Sequence, residues 1–215
     1  MTDHQVIAID GTAGSGKSTL ARNLARTVHL PYVNTGLMYR ALTASAIRNG
    51  VSDVDVEGLI DLTRGLRFTL EGSDPLELKV EGFDERELTT PDVERSVSRV
   101  ARHPRIRAWM HAVQRKLGAN GAVMEGRDIG SVVFPDAAVK LYLEAARDAR
   151  IDRRARERSE EIAAVLEARD ELDARTNPAT PSAGAIVIDT GSLDEDATLR
   201  TAIALIHEHA PELVP

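Results

Sequence analysis

Cysteine is absent from the 215 residues. That excludes disulfide scaffolds, Cys-based zinc sites and reactive-thiol chemistry. Aromatic residues make up only 3% of the chain, so a core must be built from Leu, Ile, Val and Ala. Such a core suits helices packed on a parallel sheet better than a β-sandwich. No apolar run is long enough to span a bilayer, and Met1-Thr2-Asp3-His4 is not a secretory leader, so no membrane contact and a cytoplasmic location are expected. An excess of positive charge is missing too. Against 34 Asp and Glu stand 27 Lys and Arg, a net charge of −7. A broad basic surface for nucleic acid or anionic lipid is therefore not expected, although a local basic cleft is compatible with this balance.

What remains is ordinary for a soluble globular protein: 42% hydrophobic and 28% charged residues, enough apolar side chain for one domain over residues 1–215. Gln5–Asp10 is a short apolar run ending at glycine and reads as a buried strand. A helix follows from about Gly16, with Leu20, Leu24 and Val28 on one face. Leu30–Asn34 reads as a second strand and Gly36–Arg48 as a second helix, a unit typical of parallel sheets. The middle departs from this rhythm. Leu66–Leu70 and Leu76–Glu81 alternate apolar and polar residues around a Gly/Pro-containing turn, which predicts an antiparallel insert over about 62–90. Thr90-Pro91-Asp92 opens a helix with a hydroxyl cap, proline at the first position and an acid in the first turn. Arg105–Leu117 reads as a further helix. Strands are expected at Ala122–Glu125, Ala138–Leu143 and Ala185–Asp189, with a charged helical stretch over Arg147–Asp173. The terminal helix, within Ser192–Ala210, carries a Ser192/Glu195 capping box and a stripe of Leu199, Ala202, Ile203 and Ile206.

Gly11-Thr12-Ala13-Gly14-Ser15-Gly16-Lys17-Ser18 fits G-x-x-x-x-G-K-[ST] between a predicted strand and a predicted helix, the context that gives this pattern meaning. Glycines let successive backbone N–H groups turn inward toward phosphate oxygens, and the helix N-terminus adds partial positive charge. Lys17 can reach the β- and γ-phosphates, and the Ser18 hydroxyl can ligate Mg²⁺. The loop alone does not separate a switch, a motor and a small-molecule kinase. No N-K-x-D guanine-reading motif is present, and the chain is short for a motor.

Arginines carry the next step. Arg40 lies in Thr35-Gly36-Leu37-Met38-Tyr39-Arg40, after the second strand. Arg127 and Asp128 lie in a glycine-flanked turn after the Ala122–Glu125 strand. Loops at the carboxyl ends of parallel strands line the ligand crevice, so these residues and the phosphate loop can converge. Asp128, in its glycine-flanked setting, can cap its own turn. Arg147, Arg150, Arg153, Arg154, Arg156 and Arg158 read mainly as an exposed helix with local ion pairs, one or two of them as lid arginines. Asp10 and Glu125, at strand ends, are either solvated carboxylates or groups that orient metal-bound water.

Together, IDGTAGSGKSTLA, TGLMYRA, PRIRAWMHAVQRK and EGRDIGSVVFPDA with the Arg-rich segment resemble the bacterial cytidylate kinases. The resemblance covers nearly the whole chain, and GRDIG with FPDA is its specific part. It implies a P-loop nucleoside monophosphate kinase. The fold would be α/β, a five-stranded parallel sheet flanked by helices with a small antiparallel NMP-binding insert and a helical lid over 147–173. It also implies transfer of the ATP γ-phosphoryl group to CMP or dCMP, with Mg²⁺, by a monomer that binds no nucleic acid. Residues Gly11–Thr19 (Ala13 and Thr19 included) would hold ATP, with Lys17, Arg127, Arg150 and Arg154 catalytic. Thr35, Gly36, Arg40, Arg107, Arg127, Asp128, Asp173 and Arg175 would form the CMP site. Thr35 stands where serine is usual, and in Asp173-Ala174-Arg175 the arginine comes one position early. The alternatives are another P-loop small-metabolite or nucleotide kinase, or an ATP-binding regulatory module without transfer.

Overall fold

The structure, a computed structural model, describes residues 5–12, 14–144 and 180–214. The expected lid lies outside them, as do Ala13, Arg150, Arg154, Asp173 and Arg175. Alternating β1 (Val6–Gly11) side chains face two cores. Val6 and Ala8 enter one, Ile7 and Ile9 the other. A strand buried on both faces must be apolar throughout, which is why VIAI is uninterrupted. Beside β1 run β5 (Ala122–Glu125) and β6 (Val139–Glu144), both parallel to it. The sheet is completed by β2 (Tyr32–Asn34), β3 (Phe68–Glu71), β4 (Glu77–Val80) and β7 (Ile186–Asp189) in the order β3-β4-β2-β5-β1-β6-β7.

Five of these strands, β2-β5-β1-β6-β7, form the expected parallel sheet, but the sheet has seven strands, not five. The hairpin of the 62–90 stretch supplies the other two. β4 pairs parallel to β2 at Tyr32↔Glu77, and β3 pairs antiparallel to β4. Edge backbone on β2 is thereby satisfied rather than left exposed. Arg22 reinforces the junction, bonding Glu77 at 2.9 Å while lying over the Tyr32 ring.

On one face pack α1 (Lys17–Thr27) and α6 (Glu195–His209), through Leu20, Leu24, Ala202 and Ile206. The other face carries α2 (Thr35–Arg48), α3 (Val56–Thr63), α4 (Pro91–Ala101) and α5 (Pro104–Leu117). Trp109 of α5 rests near Phe68 of β3, with ring centroids 6.2 Å apart. Thr90 caps α4 as expected, accepting from the Val93 amide. The cap of α6 is Asp194, not Ser192: its carboxylate accepts from Ala197 N at 2.7 Å. Aspartate is as good a cap as serine and sits two residues nearer the apolar stripe. Among the described residues no helix is long and apolar enough to cross a membrane.

Gly11 closes β1 with φ +146°, and a Cβ there would lie 2.2 Å from the Leu143 carbonyl oxygen on β6. Gly11→Ala is expected to cost about 3 kcal/mol or more, read as a lowered urea midpoint.

Candidate active site

All strands except β3 run the same way, so the loops after β1, β2, β5 and β7 share one edge. The loop after β1 turns into α1 through Gly16, whose φ of 87° and ψ of 11° are left-handed and favour glycine. No side chain caps α1, and its first turn holds no acid. Its leading amides and positive end are therefore available to an anion. Lys17 folds back so that Nζ donates to the Thr12 carbonyl at 2.5 Å, and the Thr12 Oγ1 is buried without a partner among the described residues. Thr190, after β7, ties the loop down by donating to the Ser15 carbonyl at 3.0 Å.

Glu125, at the end of β5, is 3% exposed. It is not a solvated carboxylate. Its Oε2 accepts from the Ser18 hydroxyl at 3.0 Å and its Oε1 from the Tyr32 hydroxyl at 2.5 Å. Its carbonyl accepts from Thr35 Oγ1 at 2.7 Å. Burial and this carboxylate push the Tyr32 phenol upward, so it stays a donor. One residue thus joins the phosphate loop to the start of α2.

At α2 the N-terminus is again uncapped and free of acids. Arg40 lies against it: a Cβ on Gly36 would stand 2.8 Å from Arg40 Nη1. A guanidinium at the positive end of a helix is electrostatically unfavourable unless an anion joins it. Glu94 of α4, 1% exposed, accepts from Arg40 Nε at 3.0 Å. On α5, Arg107 and His111 both bond Asp128 Oδ2, His111 Nε2 at 3.0 Å. Arg107 is therefore no loose surface charge, whereas Arg105 pairs with exposed Glu57 on the outside. Arg127 is half-buried beside Asp128.

Asp128 does not cap the following five-residue π-turn, Ile129–Val133. Asp10 fills that role, accepting from Ile129 N at 2.9 Å and Gly130 N at 2.8 Å. Burial pushes the Asp10 carboxyl up to about 6 against the pull of those amides. Its folded value exceeds its unfolded value, so the contribution is full below about 3.8 and is lost as pH rises through about 6. Asp10→Asn removes that term. Wild type is expected to gain about 2 kcal/mol relative to the variant between pH 7.5 and 4.5, measured by urea denaturation at both pH values.

The structure thus gathers Gly11, Thr12, Gly14, Ser15, Gly16, Lys17, Ser18 and Thr19 in one loop and helix start, with Thr35, Gly36, Arg40, Arg107, Arg127 and Asp128 on neighbouring strand ends and helices. Glu94 and His111 escape a reading of the sequence alone. Glu94 looks like a first-turn acid of an exposed helix; His111 is signalled only by its four-residue spacing from Arg107, which sets both on one face.

A family model described as "Cytidylate kinase" matches residues 7–208. A cytidylate kinase of Thermus thermophilus is 41% identical, covering 94% of this chain and 98% of that protein. One from Desulforamulus reducens is 36% identical, covering 97% and 99%. One from Rhodococcus opacus is 37% identical, covering 97% of each.

Proposed function

The chain belongs to the cytidylate kinase family, and from that premise we propose that its cleft moves the γ-phosphoryl group of ATP to CMP or dCMP, giving ADP and CDP or dCDP. One observation carries the reading beyond the family. Two uncapped, acid-free helix starts, those of α1 and α2, are tied together through Glu125. One suits a triphosphate and the other a monophosphate.

Chemistry at such a site is mostly alignment. The CMP phosphate, with a second pKa of about 6, is already largely dianionic at neutral pH, so no general base is required. Its oxygen attacks the γ-phosphorus while the bond to the β-phosphate oxygen breaks and ADP leaves. Lys17 gives up the Thr12 carbonyl to neutralise the transferring group. Arg40, held at Nε by Glu94, presents its other nitrogens to the acceptor phosphate in a planar fork. Asp128 accepts from the cytosine 4-amino group, and Arg127 adds positive charge between the two substrates. Arg150 and Arg154 are read as lid groups, and Asp173 and Arg175 as further CMP contacts.

The donor set also suits Mg²⁺. The Ser18 hydroxyl donates its hydrogen bond to Glu125, so its lone pairs remain for a cation, and the Thr12 hydroxyl is buried without a partner among the described residues. When bound, the ion neutralises phosphate charge. Asp10 is committed to the π-turn amides, which leaves Glu125 as the carboxylate that orients the metal ligand Ser18. Free mononucleotides rather than nucleic acid fit the net charge of −7.

The test is ADP release with ATP and Mg²⁺ across CMP, dCMP, UMP, AMP, GMP and shikimate. Stimulation by CMP and dCMP above the others is expected. Equal stimulation by another acceptor, or ATP binding with no acceptor-dependent ADP, overturns the proposal.

A further inference from the structure

Asp128 is held in an unusual way. Arg107 and His111, one helical turn apart on α5, both donate to the same oxygen, Oδ2. Among the described residues nothing hydrogen-bonds to Oδ1. All three side chains are largely shielded, with 17%, 13% and 10% of Arg107, Asp128 and His111 exposed. An arginine beside a carboxylate ordinarily prefers a two-pronged pair that uses both oxygens. Here that pair would consume the acceptor Asp128 needs for a base.

We propose that His111 is a positioning residue for base selectivity: by sharing Oδ2 with Arg107 it keeps Oδ1 open to the exocyclic amine of a cytosine-type base. The inference rests on the proposed function, in which Asp128 meets that amine. Cytosine brings a donor to the open oxygen. Uracil brings a carbonyl oxygen, which an ionised carboxylate repels. Imidazole suits this role because it offers a stiff Nε2–H donor with only two side-chain torsions. A substrate phosphate, which competes for Arg107, draws it away less readily than an arginine.

The experiment compares His111→Leu with His111→Gln, measuring kcat/KM for CMP and UMP and KM for ATP. With leucine, kcat/KM for CMP is expected to fall about tenfold, the scale of one charge-assisted hydrogen bond. The UMP value and the ATP KM stay unchanged, so the CMP-to-UMP ratio falls by the same factor. Glutamine, which keeps an N–H donor, holds the ratio within about threefold of wild type. A purely structural role would lower CMP and UMP together. An unchanged ratio in His111→Leu, or an equal loss in His111→Gln, overturns the proposal. Asp128→Asn run in parallel separates the two ideas. If it leaves the ratio intact, base reading by Asp128 fails; if it collapses the ratio while His111→Leu does not, only the role of His111 fails. Should the leucine variant not fold, ¹⁵N-histidine NMR of the wild type decides. A proton on His111 Nε2, retained with CMP bound, supports the proposal, and an unprotonated Nε2 ends it.

Discussion

Lys17→Ala is expected to lower kcat by about 10³-fold or more, because the positive group proposed to meet the transferring phosphoryl oxygens is lost. The fold should survive. In the structure Lys17 donates to the Thr12 carbonyl, in a loop secured also by Thr190 on the Ser15 carbonyl and by Ser15 on Thr12. Stopped assays of ADP formation give the rate, and thermal melting checks the fold. Two outcomes bear on different claims. Full turnover with an intact fold removes Lys17 from the chemistry. A lost fold would mean that the Lys17–Thr12 contact holds the loop together, contrary to the Thr190 and Ser15 anchors.

Asp128→Ala is expected to reduce kcat/KM for CMP by about 10²-fold or more, with the ATP KM little changed. The reason is twofold. The proposed acceptor for the base amine disappears, and Arg107, in a shielded site, loses its bond to Oδ2. The second effect also costs about 1–3 kcal/mol of stability, so melting must accompany the kinetics. Discrimination between CMP and UMP is the sharper readout, since a loosened helix α5 would not distinguish the two bases. A variant that still prefers CMP by the wild-type factor would place base recognition on another group.

Local patterning made much of this molecule legible. Strands buried on both faces are written as unbroken apolar runs, and β1 and β5 fall where such runs predict them; β7 forms where its run predicts a strand, but at the sheet edge, with Val187 exposed rather than buried. Cap chemistry placed the start of α4 at Thr90. Long-range pairing was not legible: nothing in Leu76–Glu81 says that β4 lies parallel to β2, because that choice depends on which sheet edge is open. Competing caps misled at α6, where Ser192 and Asp194 both qualify by type and only the entering backbone decides. At the site, glycines and lysine in the phosphate loop announce themselves by spacing. The supporting carboxylates do not. Asp10, Glu94 and Glu125 look alike in a sequence rich in acids, yet burial gives each a different part to play. Asp10 caps a π-turn, Glu94 holds Arg40, and Glu125 bridges Ser18, Tyr32 and Thr35.

The contact between Trp109 and Phe68 has a practical consequence. Trp109 is the only indole in the chain, and it sits where the hairpin meets the helix that carries Arg107 and His111. Its intrinsic fluorescence is therefore a label-free reporter of acceptor-side rearrangement, undiluted by emission from other tryptophans. Titrating CMP against it, then ATP, would time the two halves of the cleft separately.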